Sequence, residues 1–137
     1  MNSDQAPPRK TGETILIVDD EAMIRTVTQR ALERNGYRTL QAKDGAEALE
    51  TVNLLGDHIG VIVLDLTMPG MSGAEVLSEL QRLHSEIPVL LSSGYTRQDL
   101  WDSLKKLVDT VHFIQKPYSM TDLLAQIDQL LGHTDST

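Results

Sequence analysis

The sequence predicts an α/β fold in which five parallel strands form one doubly wound sheet between two layers of helices. The chain of 137 residues contains five short apolar runs, and a segment with the period of an amphipathic helix, about 3.6 residues, follows each run. The connections are short, and such an alternation forms a parallel sheet joined by right-handed crossovers. We therefore predict a three-layer (βα)5 domain over residues 13–132, with polar tails at 1–12 and 133–137.

The predicted strands are of two kinds. The first, third and fourth runs are almost entirely apolar, which is typical of parallel strands buried on both faces of a sheet. The second run alternates apolar with polar residues and is expected at the edge. In chain order the runs cover residues 14–18, 37–42, 61–64, 88–92 and 111–115.

Capping residues mark the predicted starts of the helices. Four of the five begin with Asp, Ser or Thr three residues before an acid, so that the first side chain can accept a hydrogen bond from a free N–H. The four pairs are Asp44 and Glu47, Ser72 and Glu75, Thr96 and Asp99, and Ser119 and Asp122. The first helix has no such pair, although Asp19, Asp20 and Glu21 precede it.

The helical period predicts which residues face the sheet. In the first helix, which ends at Asn35-Gly36, they are Ile24, Val27, Ala31 and Leu32. In the helices over residues 44–55 and 72–84 they are Ala46, Leu49 and Val52, then Val76, Leu77 and Leu80. In the helices over residues 96–108 and 119–131 they are Leu100, Leu104 and Leu107, then Leu123, Leu124, Ile127, Leu130 and Leu131.

The composition argues against several classes of function. A formal net charge of −8 disfavours non-specific binding to nucleic acid or to an anionic membrane surface. The absence of cysteine excludes disulfides and thiolate metal sites and fits a reducing compartment. No secretory signal and no apolar run long enough to cross a bilayer is evident. We expect a cytoplasmic protein with no nucleic-acid partner and no membrane insertion.

Chemistry-bearing residues follow four of the five strands. They are the acids Asp19–Glu21, then Asp65, the pair Ser92-Ser93, and Lys116. In a right-handed doubly wound sheet these strand ends open on one edge, where ligands bind. For Asp65 taken alone, a capping or turn role is an equally good explanation.

Together these residues suit phosphoryl chemistry assisted by a metal ion. Close carboxylates repel one another unless a cation relieves them, and Mg²⁺ takes carboxylate, water and phosphate oxygens. An aspartate can itself attack phosphorus and form an aspartyl phosphate. Asp65 is the best candidate because it is alone on its strand, whereas Asp19 and Asp20 form a pair suited to a metal.

Four segments in order resemble the receiver domain of two-component response regulators. They are Ile15–Glu21, Val63–Gly70, Pro88–Gly94 and Phe113–Tyr118. The resemblance implies a flavodoxin-like sheet with strand order 2-1-3-4-5. It also implies a phosphoacceptor signalling domain that catalyses its own phosphorylation and dephosphorylation rather than a conventional enzyme.

The resemblance assigns a metal site and a phosphorylation site. Asp65 is implied as the phosphoacceptor. Asp20 and Asp65 are implied to bind Mg²⁺ (or Mn²⁺) through their side chains, Thr67 through its backbone carbonyl, and Asp19 through a water molecule.

The resemblance also implies a switch and its partners. Lys116, before a cis Pro117, is implied to pair with the phosphoryl group, and Ser93 and Phe113 are the implied switch residues. The phosphodonor is a sensor histidine kinase or a histidine phosphotransfer protein. Output passes to an effector, or to a second copy of the chain, through the face formed by the fourth helix, fifth strand and fifth helix. Met23 and Trp101 are possible partner contacts.

The sequence departs from the common pattern of receiver domains at two places, and two other classes of protein remain as alternatives. Ser92-Ser93-Gly94-Tyr95 is a variant associated with receivers of hybrid sensor kinases, and Val108-Asp109-Thr110 replaces a frequent Gly-Ala before the fifth strand. A phosphatase of the haloacid-dehalogenase type would need an acid where Thr67 stands. A flavodoxin-like FMN module would need a hydroxyl- and glycine-rich phosphate loop after the first strand.

Overall fold

A computed structural model of the chain describes residues 13–65, 73–83, 86–93 and 111–132. Several predictions lie outside these residues. They concern both tails, the fourth helix over residues 96–108 with Trp101, the caps Ser72 and Thr96, the carbonyl of Thr67, Tyr95, and the segment Val108–Thr110.

The described residues form five strands, four helices and one 3₁₀ turn. The strands are β1 (Thr14–Val18), β2 (Arg38–Ala42), β3 (Ile59–Asp65), β4 (Val89–Ser93) and β5 (Val111–Gln115). The helices are α1 (Ala22–Arg34), α2 (Gly45–Leu55), α3 (Gly73–Leu83) and a C-terminal helix (Met120–Leu130), and the 3₁₀ turn is Gly56–His58. Among them, no helix is both long and apolar enough to span a bilayer.

All five strands are parallel and lie in the order β2-β1-β3-β4-β5, which confirms the predicted fold class. The central strands β1, β3 and β4 are almost wholly buried, whereas β2 at the edge is mostly part-exposed. This difference is the one that the apolar and alternating runs predict.

The sheet divides the core into two clusters, as expected when helices cover both faces. One cluster contains Leu16, Ile62, Leu64 and Leu91 from the strands, and Val76, Leu77 and Leu80 of α3 pack on it. The other contains Ile15, Ile17, Val63 and Leu90, with Leu32 of α1 and Leu123 and Ile127 of the C-terminal helix. Alternate residues of each central strand thus enter opposite clusters.

Two predicted caps are present. The Asp44 side chain accepts a hydrogen bond from the N–H of Glu47 at 2.8 Å, and the Ser119 hydroxyl accepts one from the N–H of Asp122 at 3.0 Å. Each bond satisfies a donor that the first helical turn leaves without a backbone partner.

The predicted inward face of α2 was wrong at one position. Ala46 is exposed, whereas Gly45, Ala48 and Val52 are buried and Leu49 packs on the core as expected. A methyl group contributes little burial energy, so the larger side chains of Leu49 and Val52 decide how the helix is rotated.

The predicted inward face of α1 was wrong in its first half. Thr28 and Leu32 are buried, whereas Ile24 is 37% exposed and Val27 is 49% exposed. Residues four apart lie above one another, so Ile24, Thr28 and Leu32 form one row, with Val27 beside it. Burial along this row is lost toward the N-terminal end of the helix. Together with Met23, which is 77% exposed, Ile24 and Val27 form an exposed apolar strip on α1.

Candidate functional site

The carboxyl ends of β1 and β3 bring three aspartates together. β3 ends at Asp65, which is 4% exposed, and Asp19, which is 5% exposed, directly follows β1. Val18 pairs with Leu64 in the sheet, so the next residue of each strand lies at the same edge. Asp20 is exposed. Carboxylate oxygens of Asp19, Asp20 and Asp65, which we call the acid cluster, lie within 4.8 Å of one another.

The turn after β1 holds Asp19 by its main chain and by its side chain. The N–H of Asp19 donates to the carbonyl of Ala42, the last residue of β2, at 3.1 Å. The carboxylate of Asp19 accepts from the N–H of Glu21 at 2.9 Å. Glu21 is the N-cap of α1, and its side chain makes no capping bond. The helix that lacks a capping pair in the sequence thus begins without a side-chain cap.

An ammonium group faces the acid cluster. Nζ of Lys116 lies 3.3 Å from Oδ2 of Asp65. The N–H of Lys116 donates to the carbonyl of Ser93 at 2.8 Å, which fixes the residue after β5 beside the end of β4. The bond between Lys116 and Pro117 is cis, as predicted.

The end of β4 contributes two buried hydroxyl groups. Ser92 is paired with Asp65 across the sheet, and both Ser92 and Ser93 are almost completely buried. Ser93 projects from the same face of the sheet as Leu91, which is two residues earlier. Phe113, paired with Leu91 in β5, packs against the cluster of that face and is partly buried. Ser93 and Phe113 therefore share one face of the sheet on neighbouring strands.

The acid cluster has the composition of a site for a hard divalent cation. Burial raises the pKa of the Asp19 carboxyl, and the charges of Asp65 and Asp20 act in the same direction; the N–H of Glu21 and the charge of Lys116 oppose them. A cation would relieve both the repulsion and the cost of burial. Three carboxylates provide only oxygen ligands, which suit Mg²⁺ or Mn²⁺ rather than zinc.

Comparison with known proteins gives the family. The sequence pattern of the response regulator receiver domain matches residues 15–128. The chain belongs to this family. It is 34% identical over 122 residues to sensor kinase CckA of Brucella abortus (strain 2308), which covers 89% of this receiver and 13% of the kinase.

Two further relatives match the receiver over almost their whole length. Sporulation initiation phosphotransferase F of Bacillus subtilis (strain 168) is 31% identical over 119 residues, which are 87% of this chain and 94% of that protein. The structure of chemotaxis protein CheY4 of Vibrio cholerae is similar with a TM-score of 0.77 and 28% identity, covering 86% of this chain and 98% of that chain. These likenesses favour neither a haloacid-dehalogenase phosphatase nor an FMN module.

Several of the curated relatives are longer than this receiver. The chain spans 13% of the sensor kinase and 52% of the length of response regulator RR06 of Streptococcus pneumoniae. Domains similar to this chain thus make up nearly the whole of some relatives and one part of others.

Tyr118 belongs to the receiver's site although the sequence did not single it out. Burial is the main cause that raises the pKa of the Tyr118 phenol, while the charge of Lys116 and a hydrogen bond with Ser92 lower it. Asp19 and Asp65 also act on the phenol electrostatically. Its place two residues after Lys116, at the same strand end, was the available signal.

Arg25 was also missed. Its guanidinium Nη1 donates to the carbonyl of Asp19 at 2.6 Å. In the sequence Arg25 is an ordinary polar residue of an amphipathic helix, and only its position one turn after Glu21 links it to the strand end.

Proposed function

We propose that this receiver accepts a phosphoryl group on Asp65 from a phosphohistidine. The observation that carries the proposal is the contact of 3.3 Å between Nζ of Lys116 and the buried carboxylate of Asp65, inside a cluster of three aspartates at the ligand-binding edge of the sheet. Buried carboxylates crowded around one ammonium are disfavoured unless they serve a ligand.

The chemistry follows from the charges at this edge. An oxygen of Asp65 attacks phosphorus as the bond between phosphorus and the donor imidazole nitrogen breaks, so the phosphoryl group passes to the carboxylate without a net change of oxidation state. Lys116 turns its ammonium toward a phosphoryl oxygen and holds the phosphoryl group in place. Because the acceptor belongs to the chain itself, the receiver catalyses its own modification and does not turn over a substrate.

The acid cluster would hold Mg²⁺ or Mn²⁺. Asp20 and Asp65 would hold the ion through their carboxylates, Asp19 through a water molecule, and Thr67, which lies outside the described residues, through its carbonyl. When bound, the ion supplies positive charge that balances the carboxylates and the phosphoryl oxygens.

Ser93 and Phe113 form the proposed switch. The hydroxyl of Ser93 turns toward the phosphoryl group, and the space that it leaves lets Phe113 move inward on the same face of the sheet. The face formed by β5 and the C-terminal helix, with the fourth helix that the sequence predicts over residues 96–108 outside the described residues, would then change shape for a downstream effector or for a second copy of the chain. A local charge thus biases an element with two arrangements.

The phosphodonor is a sensor histidine kinase or a histidine phosphotransfer protein that docks beside the acid cluster. The exposed apolar strip of α1, formed by Met23, Ile24 and Val27, provides the surface. A groove next to it is lined by Glu21, Ile24, Lys116, Pro117, Tyr118 and Met120. Exposed apolar groups beside a reactive site are typical of a protein contact. Trp101 is a further proposed contact.

The domain occupies residues 13–132, and the protein acts in the cytoplasm. The sequence Ser92–Tyr95, which is associated with receivers of hybrid sensor kinases, and the likeness to a sensor kinase support an origin in, or a partnership with, a hybrid sensor kinase. The likeness to a phosphotransferase that the chain almost covers supports a stand-alone regulator equally well.

Labelling with a small phosphodonor tests the proposal. Incubation with Mg²⁺ and acetyl phosphate should add one phosphoryl group to the wild-type chain, as measured by intact mass. Asp65→Asn should abolish the addition, and Asp57→Asn, which removes an exposed acid from the 3₁₀ turn, should not change it. Equal labelling of Asp65→Asn would show that the acceptor is another residue, and turnover of phosphomonoesters would favour a phosphatase.

A further inference from the structure

Arg25 connects three elements around the acid cluster. Its Nη1 donates to the carbonyl of Asp19 at 2.6 Å, and its Nε donates to the side-chain oxygen of Gln41 in β2 at 3.0 Å. The amide of Gln41 in turn donates to the side-chain oxygen of Gln29, one turn further along α1. This Arg25–Gln41 clamp has no part in the chemistry proposed above.

The clamp completes the fixation of Asp19. The N–H of Asp19 is held by Ala42 and its carboxylate by the N–H of Glu21, which leaves the carbonyl as the remaining polar group. Arg25 binds that carbonyl, and its own N–H donates to the carbonyl of Glu21 at 3.1 Å. A bond from a guanidinium is stronger than one between neutral groups and fixes direction through its planar fork. The turn that bears two of the three aspartates is therefore attached by a side chain to the edge strand.

We propose that Arg25 is a positioning residue for the acid cluster. It holds the turn between β1 and α1 against β2, so that Asp19 and Asp20 keep their carboxylates close to that of Asp65 before a cation arrives. The inference rests on the proposed function, since it concerns the affinity of the same cluster for Mg²⁺. Groups that orient metal ligands from behind commonly change metal affinity by about 10- to 100-fold when they are removed.

If Arg25 acted only through its charge, its removal would change the Mg²⁺ affinity in the opposite direction. A guanidinium near three carboxylates competes with a cation, so its removal would strengthen Mg²⁺ binding if charge were its only effect. Loss of the clamp misplaces the ligands and weakens binding. The direction of the change in the dissociation constant distinguishes the two roles, and Gln41 permits a test in which no charge changes.

Isothermal titration of Mg²⁺ into the metal-free full chain, without a phosphodonor, measures the effect. We expect Arg25→Gln to weaken binding about tenfold. Gln41→Met, which removes the bonds to Arg25 and to Gln29 but no charge, should weaken Mg²⁺ binding about threefold because the bond from Arg25 to Asp19 remains. Arg25→Lys keeps the charge but cannot reproduce the two directed bonds, so this variant should also bind Mg²⁺ more weakly than the wild type. Arg30→Gln removes an exposed charge from the same helix and should bind like the wild type.

Two further measurements separate positioning from general stability. In the metal-free protein, hydrogen exchange at the N–H of Glu21 should be faster in Arg25→Gln and in Gln41→Met, because that bond depends on the orientation of Asp19. Labelling by acetyl phosphate should need more Mg²⁺ in both variants yet reach nearly the wild-type rate at saturation. Loss of fold would lower the saturated rate as well.

Wild-type affinity in both Arg25→Gln and Gln41→Met would overturn the inference, as would tighter binding in Arg25→Gln with no change in Gln41→Met. If Arg25→Gln does not fold, the result for Gln41→Met decides. Absence of labelling at Asp65 in the wild type would instead overturn the proposed function. Normal wild-type labelling with unchanged variants would refute the positioning role alone.

Discussion

Replacement of Asp19 by Asn tests whether the acid cluster lowers stability when no cation is bound. Burial is the main reason that the pKa of the Asp19 carboxyl lies above its usual value, and the side chain is 5% exposed. The carboxyl group of Asp19 therefore binds its proton more tightly in the folded state than in the unfolded state. The free energy of unfolding falls as the pH rises from the usual aspartate pKa through the raised one, and the loss is complete above the raised pKa. Asn removes the charge and keeps an oxygen that can accept the N–H of Glu21.

The size of the effect follows from the separation of the carboxylates. Oxygens of the three aspartates lie within 4.8 Å of one another. At an effective dielectric constant of about 20, two unit charges at that distance repel by about 3.5 kcal/mol. Water screens the exposed Asp20, and Lys116 offsets part of the repulsion from Asp65. We therefore expect a gain of about 1–2 kcal/mol in Asp19→Asn, or about 3–8 °C in melting temperature.

Thermal unfolding with a chelator and with Mg²⁺ provides the assay. With the chelator at neutral pH, Asp19→Asn should melt above the wild type, and the difference should shrink as the pH approaches the usual pKa of aspartate. With Mg²⁺ at about 100 times the dissociation constant, the wild type gains about 2.7 kcal/mol and the variant gains less, so the difference should shrink or reverse. Asp57→Asn should change neither melting curve. A variant that melts below the wild type in chelator, or an equal response of both to Mg²⁺, would refute this reasoning.

Two smaller predictions concern single side chains. Burial raises the pKa of the Tyr118 phenol, so the phenol ionises at lower pH in the unfolded state and the free energy of unfolding falls as the pH rises above about 10. Tyr118→Phe should make this alkaline loss of stability shallower, as measured by urea unfolding at a series of pH values. An unchanged slope of stability against pH would contradict this prediction. Asp44→Ala removes the bond of 2.8 Å to the N–H of Glu47 and should lower the free energy of unfolding by about 1 kcal/mol while labelling at Asp65 stays normal; a change below a few tenths of a kcal/mol would show that another group caps α2.

The sequence was most informative where one local rule acts alone. The buried strands β1, β3 and β4 are recognisable because nearly every residue is apolar, and Asp44 and Ser119 are recognisable as caps because their partners are three residues away. Once the strands are placed in a parallel sheet, the residues after their carboxyl ends can be predicted to lie at one edge. The closeness of the acids is then a consequence of topology rather than of sequence distance.

The errors and omissions arise where several elements decide together. Ala46 and Val27 are apolar and lie near the inward face of their helices, yet the rotation of each helix depends on what it packs against. Arg25 and Gln41 are 16 residues apart in different elements, and Tyr118 meets Ser92 from another strand end. Such contacts need the tertiary structure, because the local sequence gives only the nearness of Arg25 and Tyr118 to a strand end and does not show which groups their side chains meet.

The bonds of Lys116 suggest how a charge on Asp65 could reach the proposed output face. Its ammonium faces Asp65 and its N–H is bound to the carbonyl of Ser93, so one residue is tied both to the acceptor and to the main chain of β4. Phe113 lies three residues earlier in the same stretch, within β5, where hydrogen bonds to β4 keep the backbone stiff. In the proposed switch, a phosphoryl group that changes the partner of the ammonium would therefore act on both strands through these two bonds. This makes the junction of β4 and β5, rather than the distant apolar core, the place where a small displacement at the acid cluster would first become a change of surface.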